Sequence, residues 1–230
     1  MTGVVVIGAG GHAAEVCSYV ARRADERPDV RLLGCIDDHK PIGRMGLLEV
    51  LGNFRRLEVL LGSDTSLRCI TAAGDNTTRR MLVARAEALS PDRQIWWTLQ
   101  DSAAHVGPDV DIGAGTCLAP GSIVTARVRI GRHCILNVNV SVSHDVVVSD
   151  YVNLNPGVIV SGNVRIGDGC YIGAGATIID KVTIGAGAIV GAGAVVVEDL
   201  PPNVTAVGVP ARVIKYRPAA WEPGVVPRRA

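Results

Sequence analysis

The sequence predicts two folded parts in series: an α/β, Rossmann-like N-terminal domain and then a parallel β-helix. Three observations support this. Up to about residue 98, short apolar runs alternate with helical patterns, and the first run opens onto a cluster of glycines. The composition then shifts sharply near residue 99. From residue 106 to residue 196, sixteen aliphatic residues recur at every sixth position without a break.

The N-terminal elements follow in order. Residues 4–7 read as a short buried strand, followed by Gly8-Ala9-Gly10-Gly11-His12 and a helical run over 13–23. A second strand over 31–36 ends in the acidic pair Asp37-Asp38. A third, over 67–73, leads into Gly74-Asp75-Asn76-Thr77-Thr78, where Asp75 or Asn76 can cap a helix running to about residue 89. Residues 95–98 read as the last strand. These elements make a small open parallel α/β sheet, and such sheets bind ligands outside the carboxyl ends of their strands.

The C-terminal part is defined by its period. The aliphatic series includes Val106, Val124, Leu136, Val142, Leu154 and Val196. No α-helix has a period of six, and a half-buried strand has a period of two. Units this short bury their apolar face only by stacking on one another, as in a parallel β-helix. The position four after each aliphatic is mostly small or β-branched, as at Ser122, Val128, Cys134, Val146, Cys170 and Ala188, which fits a second inward position at a narrow corner. The position three after is Gly, Asn or Asp in 12 of 16 repeats, so the corners should adopt left-handed backbone. An aromatic fraction of 3% suits an interior that admits only aliphatic and small side chains.

Composition excludes several functions. A net charge of +1 with no basic run argues against a nucleic-acid partner. Six cysteines lie scattered, without the spacing of a metal site or a disulfide scaffold, so no metal is expected. Residues 4–7 are too short for a signal segment, and no stretch approaches the ~20 apolar residues of a membrane span. A soluble cytoplasmic protein with no membrane partner is expected.

Two regions carry candidate chemistry. Gly8, Gly10 and Gly11 can let backbone N–H groups approach a phosphate at a helix N-terminus, or can simply make the turn. His12 opens that helix, as a ligand donor or as a plain turn residue. Asp37 or Asp38 could accept hydrogen bonds from a ribose or a base. A domain of about 98 residues holds half of a full dinucleotide sheet, so a nucleoside-diphosphate ligand is more economical than NAD. On the coil, three repeats make one turn, so residues 18 apart should stack about 4.8 Å apart. His144 then lies at an outward corner between Ala126 and Gly162, with open space on both sides. A base beside an accessible amide donor suits acyl transfer, although an exposed corner histidine can also be inert. Asp145 can orient the imidazole. Asn137 and Asn155 share a column; Asn155 reads as structural, while Asn137 either contacts substrate or completes the ladder. His105 and His133 read as structural or solvent-exposed. Arg212, near the last coils, can pair with a cofactor phosphate. The segment over 218–230 reads as a loose tail.

Taken together, Ile7-Gly8-Ala9-Gly10-Gly11-His12, Ile36-Asp37-Asp38, Gly74-Asp75-Asn76, Ile135-Leu136-Asn137, His144-Asp145, Ser161-Gly162-Asn163 and Gly208-Val209-Pro210-Ala211 resemble the sialic-acid and nucleotide-amino-sugar acetyltransferases of the left-handed hexapeptide-repeat superfamily. The resemblance implies a left-handed parallel β-helix over 99–217 after a nucleotide-sugar-binding domain over 1–98. It also implies a homotrimer with acetyl-CoA lying along the coil between subunits. His144 falls on the family's general base, Asp145 on the acid beside it, and Gly162 on the glycine whose amide meets the thioester carbonyl. Gly8, Gly10, Gly11, His12, Asp37, Asp38 and Asn76, with Asn137, would hold a UDP- or dTDP-linked amino sugar. Asn153, Gly162, Ala174, Ala192 and Arg212 would hold acetyl-CoA. Asn153 stands where many members carry a second histidine, and Leu99-Gln100-Asp101-Ser102-Ala103 replaces the usual Ile-His-Pro-Ser-Ala. The expected reaction is direct N-acetylation of the sugar amine. The alternatives are O-acetylation of a sugar hydroxyl and a non-catalytic sugar-nucleotide-binding trimer.

Overall fold

A computed structural model describes residues 1–46, 48–219 and 221, and the chain divides into two compact units, Met1–Asp101 and a second beginning at Ser102. The division falls slightly beyond the composition shift at residue 99. Asp101 is the reason, being fully buried and ion-paired with Arg22 of the first unit.

In the first unit, β1 (Thr2–Ile7), β2 (Val30–Ile36), β3 (Gly43–Met45), β4 (Leu48–Gly52) and β5 (Arg68–Thr71) form one sheet in the order β3-β4-β2-β1-β5. The helices are α1 (Gly11–Glu26), α2 (Phe54–Ser63) and α3 (Asn76–Glu87). β1 is central, and its residues 4–7 are fully buried, as a strand covered on both faces requires. Helix α1 buries Ala13, Val16, Cys17 and Val20, the i, i+3, i+4, i+7 face of an amphipathic helix. The sheet is not wholly parallel as expected, because β3 pairs antiparallel with β4 at the edge. Residues 95–98 make only a single bridge, from Trp96 to Cys69, rather than a full strand. Of the two candidate caps, Asp75 precedes α3 and accepts from the Thr78 amide at 2.7 Å. β2 and β5 flank β1 on opposite sides, so the chain reverses direction across the sheet at the carboxyl end of β1. That switch point is where open α/β sheets bind ligands, and Gly8–Gly11 occupies it.

In the second unit, two-residue strands pair in parallel at a constant offset of 18, as in Ile135↔Asn153, Ser141↔Ile159 and Val147↔Arg165. The sixfold aliphatics point inward, and Leu118, Leu136, Val142, Leu154, Val160 and Ile178 are fully buried. Each such burial stabilises by roughly 1.5–3 kcal/mol. Every corner from Asp109 to Gly193, at steps of six, has left-handed φ. This includes Arg127, Tyr151 and Lys181, where the residue type does not favour it. A left-handed L-residue costs about 1–2 kcal/mol, and the ladders on either side of each corner hold it there. The last coil is covered by an antiparallel pair, Val204–Val207 with Arg212–Tyr216, which occupies the exposed edge.

His133 is buried rather than exposed, and stacks on Tyr151 with ring centroids 5.2 Å apart. Tyr151 in turn meets Trp221, with centroids 5.8 Å apart. Trp221 is buried over the corners at Gly169 and Gly187, so the tail is tied down at that residue. The rest of the expected loose tail, 222–230, lies outside the described residues. Among the described residues, no helix is long and apolar enough to cross a membrane.

Candidate active site

The corner at His144 is built by the coil alone. The inward Val142 and left-handed Asp145 (φ 61°) turn the chain so that His144 projects outward, with its side chain 56% exposed. Its carbonyl accepts from the Asn163 amide one coil on, and the Asp145 amide donates to Ala126 one coil back. The ruler of 18 residues therefore holds at this corner. Asp145 follows His144 closely enough for its Oδ2 to lie 2.7 Å from imidazole Nδ1. In the neutral ring that bond selects the tautomer with hydrogen on Nδ1 and leaves Nε2 as the acceptor.

The imidazole lies against Gly162. A Cβ built there would sit 2.7 Å from Cε1, 2.9 Å from Nε2 and 3.3 Å from Nδ1, so the ring occupies the space a side chain would need. The Gly162 carbonyl accepts from the Lys181 amide, but its own N–H has no acceptor among the described residues. An uncommitted amide beside an unprotonated ring nitrogen can receive a proton and stabilise an anionic oxygen at one place.

Arg127, which the sequence reading passed over, completes this corner. It stands 18 residues before Asp145, and its Nε and Nη2 each lie 2.8 Å from one carboxylate oxygen. Arg127, and then His144, hold the Asp145 carboxyl well below the usual carboxylate range. Stepping by 18 from Asp145 would have found it. A surface cavity lined by Asp109, Val110, Asp111, Arg127 and Arg129 opens beside it.

The other residues expected around the cofactor are not all at this corner. Ala174 and Ala192 stand exposed at a different corner of the coil, two residues beyond the inward Ile172 and Val190. Asn153 is buried on a strand position between Ile135 and Tyr171, nine residues or half a coil from His144. Within one chain these residues and His144 face different directions. Arg212 is exposed and paired with Glu198 at 2.6 Å. The Asn137 side chain accepts from the adjacent Val138 amide at 2.7 Å, whereas Asn155 donates to the Ile172 carbonyl, the structural role expected of it.

The glycine turn of the first unit forms a second patch. Gly8 has φ 110° and is required by the turn itself, but a Cβ at Gly10 or Gly11 would meet nothing within 4 Å. The surface above them is open. Gly10 caps α1 without a side-chain bond, and the first turn carries no acid, so its N–H groups face outward with their partial positive charge. Imidazole Nδ1 of His12 lies 2.8 Å from Glu15 Oε2, while the buried Nε2 has no partner among the described residues. Asp37 accepts from the Ala9 amide at 2.9 Å and the His39 amide at 2.8 Å, so it braces the glycine turn directly. Asp38 accepts from the Phe54 amide and pairs with Arg85. Partial burial pushes its carboxyl up, but Arg85 and the Phe54 amide outweigh this and hold it below the usual range. Asn76 is buried at the first position of α3. Arg79 on the same helix is almost wholly buried and donates to the Ala73 and Gly74 carbonyls, fixing the loop after β5.

Comparison with known proteins covers both units. The PglD N-terminal domain family matches residues 3–86, and the bacterial transferase hexapeptide family (six repeats) matches residues 163–197. A histidine-to-asparagine mutant of perosamine N-acetyltransferase from Caulobacter crescentus, solved with CoA and GDP-perosamine, is 33% identical. The match covers 94% of this chain and 98% of that one, with a TM-score of 0.83. WeeI from Acinetobacter baumannii is 31% identical over 93% of this chain and 100% of its own, with a TM-score of 0.83. The acetyltransferase domain of PglB from Neisseria gonorrhoeae is 30% identical over 93% and 100%, with a TM-score of 0.81. No curated protein sequence matches the chain significantly. With a Rossmann-like unit, an unbroken hexapeptide coil and near-complete coverage of these structures, the chain belongs to the nucleotide-amino-sugar N-acetyltransferases of the left-handed β-helix acyltransferases.

Proposed function

We propose that this protein transfers the acetyl group of acetyl-CoA to the amino group of a nucleotide-linked sugar, with His144 as general base. One observation carries the assignment of roles: the imidazole is held through Nδ1 by Asp145 while Nε2 lies against Gly162, whose amide is uncommitted. His144 Nε2 takes the proton of the amine as its nitrogen attacks the thioester carbonyl. The Gly162 N–H donates to the oxygen that gains charge, the C–S bond breaks, and CoA leaves as its thiolate. No acyl-enzyme is needed, and all six cysteines are buried away from any such role.

The first unit takes the nucleotide part of the acceptor. Gly10, Gly11 and the open N-terminus of α1 receive the diphosphate, with His12 Nε2 as a further contact and Asp37 bracing the turn. The similar protein from Caulobacter crescentus is a perosamine N-acetyltransferase, and this favours an amine over a hydroxyl acceptor. Its solved structures hold GDP-perosamine, which widens the candidate nucleotides beyond UDP and dTDP. Asn153, Ala174, Ala192 and Arg212 lie away from His144 in one chain, so contacts from them to CoA at this corner require a neighbouring subunit. A homotrimer supplies one. The test is a panel of UDP-, dTDP- and GDP-linked amino sugars with acetyl-CoA, read by free-CoA release and mass of the product. Acetylation of at least one amine supports the reading, and CoA release with no acetylated sugar across the panel overturns it.

A further inference from the structure

We infer that Arg127 is a positioning residue for the acetyl transfer, acting on His144 only through Asp145. The inference rests on the reading of His144 as the base and adds a residue that reading does not use. Arg127 occupies a corner where most repeats carry Gly, Asn or Asp, and it adopts the left-handed backbone of that corner (φ 54°). From there its guanidinium meets Asp145 side-on, Nε to Oδ1 and Nη2 to Oδ2, both at 2.8 Å. This planar two-bond pairing fixes the orientation of a carboxylate as well as its position.

The orientation matters because Asp145 is itself at an exposed corner. Its side chain is 35% exposed, and no other donor from the described residues is bonded to its carboxylate besides Arg127 and His144. Without Arg127 the carboxylate is free to rotate, and its 2.7 Å bond to Nδ1 becomes one of several solvated arrangements. The proton on the imidazole is then no longer confined to Nδ1, and Nε2 ceases to be the constant acceptor. Arg127 does not reach the imidazole through any bond of its own. It therefore sets the tautomer and direction of the base from one coil away. Arg129, which shares the wall of the same cavity, makes no bond to Asp145 and serves as the control.

The test combines kinetics with the ¹⁵N spectrum of the histidine rings in the full-length protein. Arg127→Ala should lower kcat about tenfold with the KM for acetyl-CoA nearly unchanged. Arg127→Lys, which keeps the charge but not the two-bond pairing, should recover part of the loss, and Arg129→Ala should change little. In an Asp145→Ala background, Arg127→Ala should have no further effect. Without any substrate, the His144 ¹⁵N signals should shift from a predominantly Nδ1–H tautomer in the parent to a mixture in Arg127→Ala. An additive loss in the double variant, or an unchanged tautomer with unchanged kcat, overturns the inference. If the parent protein transfers no acetyl group, the functional reading fails, while the ¹⁵N comparison still decides the role of Arg127.

Discussion

Replacing Gly162 by alanine separates the coil from the chemistry. The three nearest atoms to a Cβ at this position all belong to the His144 ring, the closest being Cε1 at 2.7 Å. Ordinary contact begins near 3.4 Å, so the ring must retreat by about 0.7 Å at Cε1. Gly162 is not among the left-handed corners, so its backbone accepts an L-residue without strain. The coil has no reason to yield, and the exposed imidazole does. A retreat of that size stretches the 2.7 Å bond to Asp145 and swings Nε2 away from the Gly162 amide. Misplacement near 1 Å costs about 100-fold in rate, equivalent to about 2.7 kcal/mol of transition-state stabilisation. The assay is kcat by CoA release at saturating substrates, beside a thermal melt of the same preparation. Expected are a near-parental melting temperature and a fall in kcat on the order of 100-fold. Parental kcat in a folded Gly162→Ala protein refutes the placement of the reaction at this corner.

Three further outcomes follow from the same geometry. Lys181 holds φ 64° with an exposed side chain 3.8 Å from Asp180, an exposed pair that adds little. Lys181→Asn should therefore raise the stability measured by urea unfolding by up to about 1 kcal/mol, and a loss would show that the corner is not strained. All six thiols are buried, and burial pushes Cys69 and Cys170 up to about 12, so the native protein should resist thiol reagents at pH 8 while the denatured chain titrates six. Rapid native labelling would contradict the packing. The Asp145 carboxyl is depressed by Arg127 and then His144, so its stabilising pairings are present above the unfolded carboxylate pKa. They are lost only as pH falls through the depressed value. Asp145 should thus stay ionised through the ordinary carboxylate range by infrared or NMR titration, and an Asp145 carboxyl that takes up its proton within that range would contradict the pairing.

The coil was legible because its physics repeats: one aliphatic every six residues must face inward, and every turn restates the rule. The corners were less legible. Left-handed backbone at Arg127, Tyr151 and Lys181 is imposed by the ladders around them, against the preference of the residues themselves. His144, Asp145 and Gly162 could be brought together on paper because the 18-residue offset converts sequence distance into spatial stacking. Arg127 obeys the same offset but gave no motif signal, since an arginine on a β-helix surface is usually just solvated. The offset also separates Asn153 from His144 by half a coil, which family position alone does not reveal. In the first unit, β3, β4 and α2 escaped notice, although Asn53 caps α2 and Phe54, Leu57 and Leu61 carry its buried face at i, i+3, i+7. Two short antiparallel strands at a sheet edge carry too few residues for a period to stand out. The roles of Asp37 and Asp38 were hidden for another reason. Both carboxylates bond to backbone amides brought near by tertiary packing, Ala9 for one and Phe54 for the other.

The central claim is that His144 is the base for acetyl transfer to a nucleotide-linked amine. Its most direct measurement is the pH–rate profile of kcat/KM for the parent and His144→Asn, with CoA release and sugar acetylation followed together on the best acceptor of the panel. General-base catalysis is worth 10²–10⁴-fold, so His144→Asn should fall by about that factor and lose the acid limb of the profile. A variant that keeps both the parental rate and the parental pH dependence contradicts the claim.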